Sequence, residues 1–217
     1  MLKVFDKAIP YYKVADPRRG TVTGDDNRFL RHWFEVDRCK FTMTNRSAKK
    51  WIPMNKGGEF RRWYGNNDYI VNWENDGYEI KNFKDDKGKL RSRPQNTSYF
   101  FKEGVTWTYI SSYQKSFRYY PNGFGFAGGG PGLFPHERKW LEYMLGYCNS
   151  KVYFEIMKMM GAMTISLESG EIEKSPIILC ENNNEICKEN VQGCISLSLA
   201  DWDSYEISWD FKKNPLV

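Results

Sequence analysis

The feature that most constrains the fold is a change of hydrophobic rhythm near Pro135. Before it, from about residue 20, short runs rich in β-branched and aromatic residues alternate with turn residues. Asp68–Trp73, Thr97–Phe101, Val105–Ile110 and Ser116–Tyr120 read as strands. Gly65–Asp68, Asn75–Gly77 and Asp85–Gly88 have turn composition. After it, Trp140, Leu141, Met144, Leu145 and Cys148, then Val152, Ile156, Met157 and Met160, recur at helical spacing. Asn149–Ser150 is placed to end one helix and cap the next. The pattern predicts an α+β protein: an irregular, mostly antiparallel sheet over residues 1–135, and a helical pair from about 137 to 161. Within residues 136–217 the pair is followed by an extended return at 168–177, a solvated linker at 181–190 and a short acidic helix. That helix starts near Ser198, three residues before Asp201, and carries Trp202, Tyr205 and Trp209. Trp73 and Trp107 sit in strand-like runs and are expected in the core.

Charge is distributed as unevenly as rhythm. Residues 1–120 hold 24 Lys/Arg against 14 Asp/Glu, and residues 121–217 hold 8 against 13. Segment 38–62 is the extreme case, with Arg38, Lys40, Arg46, Lys49, Lys50, Lys56, Arg61 and Arg62 against Glu59 alone. Clustered cations raise local potential well beyond the net +5 of the chain. Between Trp51 and Asn66 these cations are interleaved with aromatics and with Gly57 and Gly58, whose lack of a side chain lets backbone N–H groups approach a phosphate. Double-stranded DNA is the polyanion this composition suits. A second candidate is Arg91-Ser92-Arg93-Pro94-Gln95-Asn96: guanidinium groups match the two acceptors of guanine, and Gln95 or Asn96 the donor and acceptor of adenine. The competing readings are a solvated basic loop over a Trp/Tyr core and, for the second segment, a polar connection whose arginines pair with Asp85 or Asp86. The DNA-binding candidates are Lys49, Lys50, Lys56, Gly57, Gly58, Arg61, Arg62, Arg91, Arg93, Gln95 and Asn96.

No catalytic pattern accompanies these groups. The two histidines, His32 and His136, are far apart, and Asp25-Asp26 and Asp85-Asp86 sit in turn contexts. Five cysteines without a C-x-x-C spacing, of which Cys180, Cys187 and Cys194 recur every seven residues, argue against a disulfide framework or a zinc site and fit a reducing cytoplasm. No apolar run reaches the roughly twenty residues of a membrane span. Phe126-Ala127-Gly128-Gly129-Gly130 fits the F-x-G-x-G pattern that cradles S-adenosylmethionine, but Pro131 and Pro135 follow where a helix should begin. The chain also has no Pro-Pro pair, hence no Asp/Asn-Pro-Pro-Tyr/Phe tetrapeptide to hold a flipped adenine.

Read together, Thr23–Arg31, Trp51–Asn66, Val71–Gly77, Arg91–Asn96, Gly104–Trp107 and Asp201–Phe211 resemble the large adenine-specific DNA methyltransferases of bacterial phage-defence systems. These are the PglX-type enzymes of BREX systems and the related single-chain restriction-methylation enzymes. The resemblance covers nearly the whole chain and falls in the region that follows the family's catalytic domain. It implies a target-recognition role, with methylation and S-adenosylmethionine belonging to a catalytic methyltransferase domain of a larger parent and no cofactor in this chain. Gly161-Ala162-Met163 and Ser169-Gly170-Glu171-Ile172 match the family's Asn-Pro-Thr and Val-Gly-Asp-Ile runs only loosely. An interaction scaffold with nonspecific DNA contacts is the other reading, and a self-sufficient methyltransferase or nuclease a third.

Overall fold

The computed structural model describes residues 7–40, 49–112, 115–162 and 165–216; Arg46 and Met163 lie outside them. It is an α+β fold with two four-stranded sheets. The first runs in the order β2 (Ala15–Arg18), β9 (Gly132–Pro135), β6 (Gly104–Trp107), β7 (Phe117–Tyr120), with every pair antiparallel. The second has the order β3 (Leu30–His32), β5 (Tyr69–Asn72), β4 (Trp51–Asn55), β8 (Gly125–Phe126), antiparallel except for the β4–β8 pair. A two-residue ladder joins β1 (Ile9–Pro10) to β10 (Pro176–Ile177).

Successive side chains on a strand point to opposite faces, so a strand buried throughout must be covered on both sides. All four residues of β6 are buried. Val105 and Trp107, with Phe117 and Leu133, join Leu141, Met144, Leu145, Cys148, Tyr153 and Met157 in one core cluster. Tyr120 and Phe134 join Ile52, Met54, Val71 and Phe126 of the second sheet in another. The first sheet is thus packed between a helical layer and the second sheet. Two-sided burial explains why its strands read as apolar runs without alternation. Trp107 is fully buried and donates its indole N–H to the Leu167 carbonyl at 2.9 Å. Trp73 is buried in the second cluster against Phe100, ring centroids 4.6 Å apart.

The helical layer follows the expected rhythm. Helix α3 (Leu141–Cys148) ends at Asn149, and α4 (Lys151–Met159) starts at Ser150, whose hydroxyl accepts from the Tyr153 N–H at 3.1 Å. Ahead of them, α1 (Asp26–Phe29) is capped by Asp25, and Asn75, Asp76 and Gly77 form a left-handed turn at the start of α2 (Glu74–Lys81).

Three local expectations fail. Residues 97–101 are not a strand: Asn96 is left-handed (φ 55°) and starts a 3-10 turn at Thr97–Tyr99, while Phe100 still fills the core. The return at 168–177 is mostly α5 (Ser169–Lys174), held by a capping box between Glu168 and Glu171. The linker and the short helix from Ser198 are one helix, α6 (Asn184–Trp202). Its apolar stripe is narrow, and tertiary packing sustains it. Val191 lies against Gly146 of α3, where a Cβ would come within 2.9 Å of the valine Cγ2, and Ser198 donates to the Arg62 and Tyr64 carbonyls at 3.0 and 3.1 Å. Past it, Asp203–Asp210 is a run of turns that buries Trp209.

Candidate nucleic-acid interface

Three cations of the densest segment, Lys50, Lys56 and Arg61, are paired with carboxylates of the chain itself. Lys50 pairs with Glu74 at 3.5 Å, Lys56 with Asp26 at 2.8 Å, and Arg61 with Asp201 at 2.8 Å while stacking over Trp202 at 5.0 Å. Arg62 lies over the Phe60 and Phe154 rings, and Arg38 donates to the Trp209 carbonyl at 3.0 Å. Trp33 donates its indole N–H to the Ile207 carbonyl at 2.7 Å. The acidic C-terminal segment therefore folds onto the basic one. Lys49 is exposed.

The two glycines divide. Gly58 is exposed, whereas Gly57 is buried with φ 95° and turns its N–H toward the Asn55 side-chain oxygen at 3.4 Å. The reason lies across the fold. Gly129 and Gly130 pack against Lys56–Gly57, and a Cβ on Gly129 would come 2.8 Å from the Lys56 carbonyl oxygen. Asn55 fastens the contact by donating to Thr106 Oγ1 and, at 3.0 Å, to the Gly130 carbonyl. Both glycine clusters thus serve one close backbone approach. Because Gly128–Gly130 joins strand β8 to strand β9, it also lacks the strand-to-helix setting of a cofactor cradle.

Beneath this loop lies Arg118, a residue the sequence marked only as part of a strand. It is fully buried and has no carboxylate partner among the described residues. Its guanidinium donates to the Arg61 carbonyl at 3.2 Å, the Gly57 carbonyl at 3.4 Å and Thr108 Oγ1 at 3.2 Å. Burial, aided by the nearby charge of Arg61, lowers its pKa to about 10. Backbone and hydroxyl dipoles alone solvate this cation, which makes it an organiser of the 57–61 loop.

A second group of guanidiniums has a different environment. Arg28, on α1, and Arg91 both lie over the Phe83 ring, at 5.1 and 5.2 Å from its centroid. Arg93 is held beside them by an antiparallel bridge to Val22, with backbone hydrogen bonds of 2.8 and 3.0 Å. Gly24 (φ 82°) lets the two segments touch: its Cβ would come 2.8 Å from the Arg91 backbone. All three arginines are exposed, and none makes an ion pair among the described residues. Asp85 does not neutralise them, because it accepts the Lys87 and Lys89 N–H groups at 3.0 and 2.8 Å to close a turn that leaves Lys84, Lys87 and Lys89 exposed.

Gln95 and Asn96 complete the loop in an unexpected way. The Gln95 amide donates to the Gly20 carbonyl at 2.9 Å, and that of Asn96 to the Arg19 carbonyl at 2.8 Å. Their side chains are turned inward as fasteners, while Arg91 and Arg93 project. Sequence reasoning proposed Arg91 and Arg93 as DNA contacts and did not propose Arg28, whose place over Phe83, 55 positions away, depends on the fold. The two histidines have unrelated partners: His32 stacks on Phe34 and Tyr69, and His136 faces Asp16 at 3.4 Å. Among the described residues there is no group of His, Cys, Asp and Glu able to hold a metal, and no helix is long and apolar enough to cross a membrane.

No family model matches the chain. It is homologous to a segment of two curated proteins. Over 195 residues, 89% of the chain, it is 36% identical to the adenine-specific methyltransferase BrxX of Escherichia coli O9:H4 (strain HS). Over 210 residues, 94% of the chain, it is 34% identical to the adenine-specific methyltransferase PglX of Lacticaseibacillus casei (strain Zhang). The chain spans only 15% and 17% of those proteins' lengths.

Proposed function

We propose that this chain is the double-stranded DNA recognition module of an adenine-specific DNA methyltransferase in a BREX-type phage-defence system. The observation that carries the reading is the Arg28, Arg91 and Arg93 group: three exposed guanidiniums, two braced on one aromatic ring and one on a backbone bridge, without acidic partners among the described residues. Arginine pairs bidentately with guanine O6 and N7 in the major groove, and a braced side chain loses less entropy on docking. The lysines of the 84–89 turn would contact the flanking phosphates, adding affinity without sequence information.

In this reading methyl transfer to the adenine amino group takes place in a separate catalytic domain of the parent protein, where S-adenosylmethionine supplies the methyl. The Gly128–Gly130 run does not fit that cofactor, since its backbone is packed against Lys56–Gly57. The chain's own task is to fix the position of the duplex. Selection from randomised duplexes tests it. The expected result is an enriched motif that Arg91→Ala or Arg93→Ala relaxes at one base pair. Recovery of unenriched sequence by the unaltered chain, grafted into the intact methyltransferase or alone, overturns the reading.

A further inference from the structure

Residues 83–93 form a narrow ribbon. An antiparallel bridge joins Lys84 to Leu90, with the Asp85 N–H on the Lys89 carbonyl at 2.8 Å and the Arg91 N–H on the Phe83 carbonyl at 2.9 Å. Gly88 (φ 78°) helps close the turn, and a Cβ there would meet nothing within 4 Å, so the tip stands in open space. Past Arg91 the same strand pairs on its other side, through the Val22–Arg93 bridge.

Alternation along an extended strand sorts the side chains. Lys89, Arg91 and Arg93 fall on one face, and all three are exposed. Leu90 and Ser92 fall on the other, where Ser92 is buried and donates its hydroxyl to the Ile80 carbonyl. Phe83, opposite Arg91 in the register, shares the arginine face and carries both the Arg91 and the Arg28 guanidinium. The register thus holds Arg91 and Arg93 on one side, about 6.7 Å apart along the strand. A two-stranded ribbon fits a major groove, and B-DNA advances about 3.4 Å per base pair, so this interval corresponds to two steps at most. A ribbon lying obliquely along the groove spans fewer, because its path per base pair is longer.

We propose that the 83–93 ribbon lies in the major groove and that Arg91 and Arg93 read two guanines, on either strand, within three consecutive base pairs. The inference rests on the DNA-recognition reading and adds to it an element and a spacing. Each guanidinium would donate to O6 and N7 of its own guanine. Lys89 leaves the same face nearer the turn, where its ammonium would meet a phosphate at the groove edge. Leu90, on the other face, makes no base contact.

The experiment uses the 217-residue chain. Randomised duplexes are selected by the parent. Each guanine of the selected motif is then replaced singly by 7-deazaguanine, which lacks the major-groove N7 acceptor, or by inosine, which lacks only the minor-groove amino group. Affinities are compared for the parent and for Arg91→Ala, Arg93→Ala and Leu90→Ala. We expect 7-deazaguanine at two positions, no more than two steps apart, to weaken parent binding about five- to tenfold, with inosine neutral at both. Arg91→Ala should cancel the effect at one of these positions and Arg93→Ala at the other, while Leu90→Ala changes neither motif nor affinity. Several outcomes overturn the inference and leave the recognition reading standing: a motif without guanine, sensitive positions three or more steps apart, or sensitivity to inosine instead of 7-deazaguanine. So do an effect that neither arginine variant cancels and a motif altered by Leu90→Ala. Recovery of unenriched sequence overturns both.

Discussion

Gly57 and Gly130 meet backbone to backbone, so closely that a Cβ on Gly130 would stand 2.5 Å from the Gly57 nitrogen. Gly57 itself has φ 95°, a conformation L side chains rarely adopt, and faces the Gly129 carbonyl. Gly57→Ala adds left-handed strain of about 1–2 kcal/mol to overpacking of about 1–3 kcal/mol. The variant should lose about 2–4 kcal/mol in urea unfolding, with binding per folded molecule little changed. A variant as stable as the parent that binds DNA poorly would instead make Gly57 a phosphate contact.

Salt dependence separates the two basic regions. Removing a cation that sits on a phosphate lowers the slope of log K against log salt by about one unit. Lys87→Ala and Lys89→Ala, in the exposed turn assigned to the flanking phosphates, should flatten the slope in that way. Lys50→Ala and Arg61→Ala should leave it near the parent's, because those cations already face Glu74 and Asp201. Breaking the half-exposed Arg61–Asp201 pair should cost stability no more than about 1 kcal/mol. Equal slopes for all four variants would contradict the division.

Gln95→Ala removes a fastener rather than a reader. Loss of its bond to the Gly20 carbonyl should lower stability by about 1 kcal/mol. The motif selected from randomised duplexes should blur at the positions read by Arg93 without changing its consensus base. A clean switch from adenine to another base at one position would restore Gln95 to direct readout.

Acid should loosen the helical layer through Glu142. Burial pushes its carboxyl up, but the hydrogen bonds from Arg138, at 2.8 and 3.0 Å, outweigh that and hold its pKa below the ordinary carboxylate range. A carboxyl depressed in the folded state stabilises above its unfolded pKa, and that contribution disappears as pH falls through the folded value. Glu142→Gln should therefore cost about 1.5–3 kcal/mol at pH 7, and its difference from the parent should shrink as pH drops below about 4.3. Melting temperatures of both proteins across a pH series from neutral into the acid range check this; a pH-independent gap refutes it.

Sequence showed what is set by neighbours along the chain. β5, β6, β7, the Ser150 cap and the turn at Asp85 arise from local periodicity and turn chemistry, and all are where those signals point. It concealed what depends on distant partners. The polar first half of α6 forms a helix because Val191 finds Gly146, and Phe100 enters the core from a 3-10 turn where a strand was expected. The candidate interface divides in the same way. Arg91 and Arg93 stood out by type and spacing, but the tying down of Arg61 could not be read, since Asp201 returns from 140 residues away. Nor could the sequence show that Lys50 and Lys56 face Glu74 and Asp26.

The bridge between Val22 and Arg93, together with the Gln95 and Asn96 fasteners to residues 19 and 20, makes two chain segments into one physical part. Exchange of residues 91–96 alone between homologues would set a new loop on a mismatched seat. The unit to transplant is the pair 19–28 and 83–96, because these bonds and the Arg28–Phe83 contact join the two segments.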